Sequence, residues 1–153
     1  TIDGKASNLS IIDIRLINKQ FLINKRFILS GMGDLMAFYN AKLDWKLSKK
    51  FNDKKNLFTL DAIKKVENIL ESIRVEKPLK NWISKYIFAQ VLLCNITHWK
   101  GSAPASGAEH FFANLYEEKY KNDILHGELV ALGTLIFRYF RGENYLKIFF
   151  LIK

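Results

Sequence analysis

Two histidines lie sixteen residues apart, each inside a short distinctive motif: Pro104-Ala-Ser-Gly-Ala-Glu-His110 and Leu125-His126-Gly127-Glu128. A third run, Ser30-Gly-Met-Gly-Asp34-Leu35, supplies a carboxylate. One aspartate and two histidines form a three-ligand N/O set of the kind that suits zinc with one coordination position left open for water or substrate. The separation of Asp34 from the histidines carries no local signature of the His-Glu-x-x-His type. Each histidine alone is more often a packed or surface residue than a ligand. If the three act together, the fold must assemble them.

The sequence around each residue suggests how it is held. Ser106-Gly-Ala-Glu109 has the spacing of a capping box, which would place His110 in the first turn of a helix and make Glu109 a cap. His126 should begin another helix, whose N-terminus disfavours a protonated imidazole. The neutral ring is the form that binds metal. Gly127, having no side chain, would let another segment approach closely. Asp34 is expected near the start of a helix capped by Ser30, where the helix dipole favours a carboxylate. His98 sits in no motif and is left as a structural residue.

These elements fall into a mainly α pattern, a helical bundle with a short β or extended N-terminal segment. Ile11-Ile12-Asp13-Ile14 and Phe27-Ile28-Leu29 read as short extended runs, and Asp3-Gly4 as a turn. From Ser30 the apolar spacing of Leu35, Met36, Tyr39 and Leu43 is helical. Residues 51–58 form a Lys/Asn/Asp-rich loop. A second helix is expected over 59–75, with Thr59 as N-cap and Leu60, Ile63, Val66, Leu70 and Ile73 on one stripe. Pro78 would open a third, carrying Trp82, Tyr86, Ala89, Leu93 and Ile96. The Gly/Ser/Ala/Pro stretch 101–107 separates it from the helix of His110. The helix from His126 should continue through Leu129, Leu132, Ile136 and Tyr139 and stop at Gly142.

Composition narrows the classes of function. The chain has 153 residues, 49% of them hydrophobic, enough for one domain with a real core. The most apolar stretch, Trp82 to Trp99, is interrupted by Lys85, Gln90, Asn95 and His98, so a buried amphipathic helix is expected there rather than a membrane span. No basic-then-apolar leader opens the sequence, and the single cysteine, Cys94, excludes an internal disulfide; a cytoplasmic setting is expected. The net charge of +9 raises nucleic acid as a partner, but nineteen of the cations are Lys, scattered along the chain, and only five are Arg. Nucleic-acid readers lean on the arginine fork, so no nucleic-acid role is expected.

Taken together, the three motifs resemble the C-terminal half of the metal-dependent polyol dehydrogenase superfamily, which includes dehydroquinate synthase and the iron-containing alcohol dehydrogenases. Within it the chain is most similar to the glycerol-1-phosphate dehydrogenase family. Ser30 to Ala37 with Asp44-Trp45, Ser102 to His110, and Leu125 to Thr134 carry the resemblance. It implies an N-terminal nucleotide-binding domain with a Gly-rich phosphate loop, followed by an all-helical domain that supplies one acidic and two histidine ligands. Those ligands map onto Asp34, His110 and His126, with Asp34 and Asn114 facing substrate. The implied metal is a divalent ion, zinc first and iron or nickel as alternatives. The implied substrate is a small polyol or polyol phosphate, and NAD(P) would be bound only with the N-terminal domain. On this reading, residues 1–29 are the tail of that domain, and 30–153 form the helical metal-binding domain, shortened at its C-terminus. A homo-oligomer is an open expectation, and no membrane association is expected.

The chain departs from the family pattern in three ways. It holds no Gly-rich dinucleotide loop, so no cofactor-binding residue is assigned within it. Asn114 replaces a histidine one turn after His110, and Phe38 replaces a lysine four residues after Asp34. An alternative reading is therefore a non-catalytic fragment or remnant that keeps the helical fold and acts through protein contacts. A basic adaptor for acidic partners is a third, weaker reading.

Overall fold

The computed structural model describes residues 11–13, 15–17, 19, 24–47, 61, 63–69, 71, 72, 82–100, 105–121 and 123–144. Among these residues the chain is helical and contains no strand. The helices used below are α1 (Lys25–Met36), α2 (Phe38–Leu47), α3 (Trp82–Lys100), α4 (Ala108–Lys119) and α5 (His126–Phe140). The central element is α5, which packs chiefly against α1 on one side and α4 on the other; α2 touches both α4 and α5.

The N-terminal region differs from its sequence reading. Asn24, not Ser30, caps the first helix: its side-chain oxygen accepts the Arg26 N–H at 3.1 Å. Phe27, Ile28 and Leu29 are therefore helical, and Ser30 is buried mid-helix. Three consecutive apolar residues cannot distinguish strand from helix by period. Here Ile28 goes inward against Ile83, while Phe27 and Leu29 stay exposed. At Ile11 to Asp13 there is no regular structure, and Arg15 to Ile17 are helical. Asp13 Oδ1 takes the N–H groups of Arg15 at 2.9 Å and Leu16 at 3.3 Å, which starts a helical turn where a strand was expected. The Asp3-Gly4 turn, Thr59, Pro78 and the 51–58 loop lie outside the described residues.

Between α1 and α2 the helical path breaks at Ala37, whose N–H bonds back to the Asp34 carbonyl at 3.2 Å. The main core forms beside this break, where Met32, Leu35, Phe38 and Trp45 meet Ala89 and Leu93 of α3 and Ile63 and Val66 of the helical segment 63–69. An ion pair from Lys42 to Glu67 ties that segment to α2. A second cluster joins Ala37, Ala113, Leu129 and Val130 across α4 and α5.

On α5 the buried positions are Gly127, Leu129, Val130, Ala131, Gly133 and Thr134, while Leu132 and Tyr139 are exposed. The reason is that α5 is gripped from two sides by close backbone contact, so its small residues face in. A Cβ on Gly33 would fall 1.9 Å from the Gly127 carbonyl oxygen, and one on Gly127 would fall 1.8 Å from that of Ser30. The α1 and α5 backbones thus touch at a glycine-on-glycine crossing. Gly142 has φ +66° and ends α5, as the sequence suggests. Among the described residues no helix is long and apolar enough to cross a membrane.

Candidate metal centre

The glycine crossing sets where two of the candidate side chains lie. Asp34 follows Gly33 and His126 precedes Gly127, so the contact that joins α1 to α5 also draws these two side chains together. His126 is the first residue of α5. Its helix start is secured by Glu128, whose carboxylate accepts the Leu125 N–H at 3.0 Å and is held in turn by the Arg26 fork at 2.6 and 2.7 Å. The start of α1 is thereby tied to the start of α5.

His110 comes from α4, in the first turn as expected, but the capping differs from the Ser106–Glu109 box. The N-cap is Gly107, with no side-chain cap of its own. Glu109 Oε1 reaches back to the Gly107 N–H at 2.6 Å, and the distant Asp44 Oδ2 accepts the Ala108 N–H at 3.0 Å. A Cβ at Gly107 would lie 2.4 Å from that Asp44 oxygen, so only glycine lets α2 deliver the cap. The other Asp44 oxygen pairs with Arg141 at the end of α5. Helices α2, α4 and α5 are locked together by this one carboxylate.

Asp34 does not begin a helix: it lies in the last turn of α1, where the helix dipole opposes a negative charge. Burial raises its pKa above the ordinary aspartate range; His126 and then His110 pull the other way, and Glu117 adds to the rise. Its Oδ1 is buried and has no hydrogen-bond partner within the protein, although 37% of the side chain is exposed. That oxygen lies 3.9 Å from His110 Nε2 and 4.0 Å from His126 Nε2. The two imidazole rings are 5.5 Å apart between centroids. The three side chains each offer a ligand atom, all within 4.8 Å of one another.

The opposite ring nitrogens are also engaged. His110 Nδ1 is 3.1 Å from Glu109 Oε1, and His126 Nδ1 lies 3.0 and 3.1 Å from the two oxygens of Glu117. Sequence reading assigned Glu109 only a capping role and missed Glu117. The signal for Glu117 was present only in part: it lies seven residues after His110, on the same face of α4, but nothing in the sequence links it to His126 on another helix.

No family model matches the chain. Among curated proteins, it is 30% identical over 157 aligned positions to the glycerol-1-phosphate dehydrogenase [NAD(P)+] of Aeropyrum pernix, a match covering 98% of this chain and 43% of that protein. It is 35% identical to the protein of that name from Methanococcus maripaludis strain C5, over 82% of this chain and 39% of the relative. With the Saccharolobus islandicus protein of the same name it shares 33% identity, over 95% and 42%.

Over most of its length the chain is similar to glycerol-1-phosphate dehydrogenases.

It spans about two fifths of the length of the curated relatives it matches and corresponds to their C-terminal part. Two of the three departures noted in the sequence acquire a structural place. Phe38 is fully buried in the main core, where it serves packing. Asn114 is exposed on α4, one turn beyond His110 and one turn before Glu117 on the same face. The donor set is suited to a small divalent ion: one carboxylate oxygen and two imidazole nitrogens. Around a tetrahedral zinc such atoms would stand about 3.3 Å apart, from metal–ligand bonds of about 2.0–2.1 Å. The separations of 3.9 and 4.0 Å from Asp34 Oδ1 exceed this by well under an ångström, and the whole set lies within 4.8 Å. The orphaned Asp34 Oδ1 is the acceptor that such an ion would satisfy.

Proposed function

We propose that this chain is the metal- and substrate-binding part of an NAD(P)-dependent polyol dehydrogenase of the glycerol-1-phosphate dehydrogenase type. The observation that carries the reading is the convergence of Asp34 Oδ1 with the Nε2 atoms of His110 and His126 from three different helices. Asp34, His110 and His126 would hold the divalent ion: zinc, or alternatively iron or nickel. When bound, that ion supplies Lewis-acid polarisation of a substrate hydroxyl or carbonyl. Hydride exchange belongs to the nicotinamide. The dinucleotide site is proposed to lie in the part of the family's length that this chain does not span.

Within the chain, the protein's part is to orient the substrate. Asp34 Oδ2 and the Asn114 amide are proposed to meet substrate hydroxyls on the open side of the cluster. Asn114 can donate and accept but cannot move a proton as an imidazole does. With Phe38 buried where an anion-binding lysine would stand, a phosphate on the substrate must find its cation elsewhere. Phe38 and Asn114 also support the second reading, a family member that keeps the fold and the cluster without turnover.

The test is metal analysis of the full chain purified without chelator, followed by zinc titration of the wild type and His110→Ala. Stoichiometric metal and a large loss of affinity in the variant are expected. No metal in the wild type, or equal affinity in both, defeats the metal assignment. Separately, oxidation of glycerol-1-phosphate or another polyol by the chain alone would defeat the second reading. NAD(P)-linked turnover is expected only when the N-terminal part of a relative is supplied.

A further inference from the structure

In both histidines the nitrogen that faces Asp34 is Nε2, and the nitrogen on the far side, Nδ1, meets a carboxylate. An ionised carboxylate only accepts hydrogen bonds, so each of these contacts requires the proton to sit on Nδ1. In a neutral ring this leaves the lone pair on Nε2, directed at the Asp34 side. We infer that Glu109 and Glu117 are positioning residues that fix His110 and His126 as Nδ1–H tautomers and aim Nε2 into the cluster. What Nε2 then binds rests on the metal reading above; the tautomer rests on the geometry alone.

The two carboxylates do this differently. Glu109 has no exposed surface, and the same Oε1 that meets His110 also takes the Gly107 N–H at 2.6 Å. Its loss would disturb the entry into α4 as well as the ring. Glu117 is 41% exposed and straddles His126 Nδ1 with both oxygens, bridging from the last turns of α4 to the first residue of α5. A two-oxygen contact restrains rotation of the ring as well as its proton. Removing it should leave the helices intact, so Glu117 gives the cleaner test. Carboxylates that hold the far nitrogen of a metal-bound imidazole typically alter metal affinity by roughly 10- to 100-fold when removed.

The experiment uses the full chain, 15N-labelled and metal-free, at a pH where the histidines are neutral. Two-bond proton–nitrogen correlation spectra of the imidazoles report which nitrogen is protonated, and a chain with three histidines is readily assigned. In the wild type both His110 and His126 should show the Nδ1–H pattern. Glu117→Leu should shift His126 towards Nε2–H and leave His110 unchanged. Glu117→Gln, whose amide oxygen can still accept from Nδ1, should retain the wild-type pattern. A wild-type His126 protonated on Nε2, or a spectrum unaltered by Glu117→Leu, overturns the inference. Zinc titration of the same samples should show roughly 10- to 100-fold weaker binding in Glu117→Leu and recovery in Glu117→Gln. A wild type that binds no zinc defeats the metal reading while the spectra still decide the tautomer. Equal zinc affinity with an unaltered tautomer defeats the positioning role and leaves the metal reading standing.

Discussion

At Asp34 opposing effects meet. Burial raises its pKa, while His126 and His110 favour the ionised form. The net direction is upward, so in the metal-free protein Asp34 favours folding when protonated. That contribution is complete below the unfolded value of about 3.8 and fades as pH rises through the raised folded value. Ionising Asp34 in the metal-free chain therefore leaves an unfavourable carboxylate in the cluster, with Oδ1 unpartnered. Asp34→Asn keeps the shape and removes the charge. It should leave the metal-free melting temperature at pH 7 equal to or above that of the wild type, measured by circular dichroism. The same variant should bind zinc at least roughly 100-fold more weakly, since a ligand matters more than the groups behind it. A variant that is both less stable and equally able to bind would contradict the assignment of Asp34 as a ligand.

Among the elements, the α1–α5 crossing and the two capped helix starts set the geometry. Gly33→Ala or Gly127→Ala would drive a methyl group into a backbone carbonyl at under 2 Å, contacts that no rotamer change relieves. Each should cost about 1–3 kcal/mol or more, read from urea unfolding, because the two helix backbones must part. Gly133→Ala, where the nearest atom is the Glu109 carbonyl oxygen at 3.0 Å, should cost less. Asp44→Ala removes the acceptor of the Ala108 N–H and the partner of Arg141 together, and about 1–3 kcal/mol is expected from the groups left unsatisfied. The Arg26–Glu128 fork adds a pH signature. Arg26 holds the Glu128 carboxyl below its ordinary value near 4.5, so its stabilisation is present above that value and is lost as pH falls towards the depressed folded one. Arg26→Ala should lower stability near neutral pH, and its difference from the wild type should shrink as the solution is acidified below about pH 4.5.

For the molecule as a whole, a ligand that binds only the folded state stabilises it by mass action, about 2.7 kcal/mol at a hundredfold excess over Kd. Zinc should therefore raise the melting temperature of the wild type and leave His110→Ala nearly unmoved, a difference visible by scanning calorimetry. Much of this was legible in the sequence. The helix starting at His126, the first-turn position of His110 and the stop at Gly142 follow from local chemistry, because caps, glycines and apolar spacing act within a few residues; the three candidate ligands were grouped by resemblance, not by spacing. The close approach at Gly127 was legible too, though its partner Gly33 was not. Beyond local reach the sequence misled or fell silent. Asp34 was placed at a helix start because Ser30 resembles a cap, but Asn24 caps six residues earlier and moves Asp34 to the helix end. The cap of α4 comes from Asp44, sixty-four residues away, and the partner of His126 comes from α4. Neither interaction leaves a periodic or spaced trace in the chain, because each depends on how helices cross rather than on how one helix winds. The residue types of the cluster were thus written in the sequence. Their convergence, and the carboxylates that aim the two imidazoles, were decided only when the glycine crossing brought three helix ends to one point.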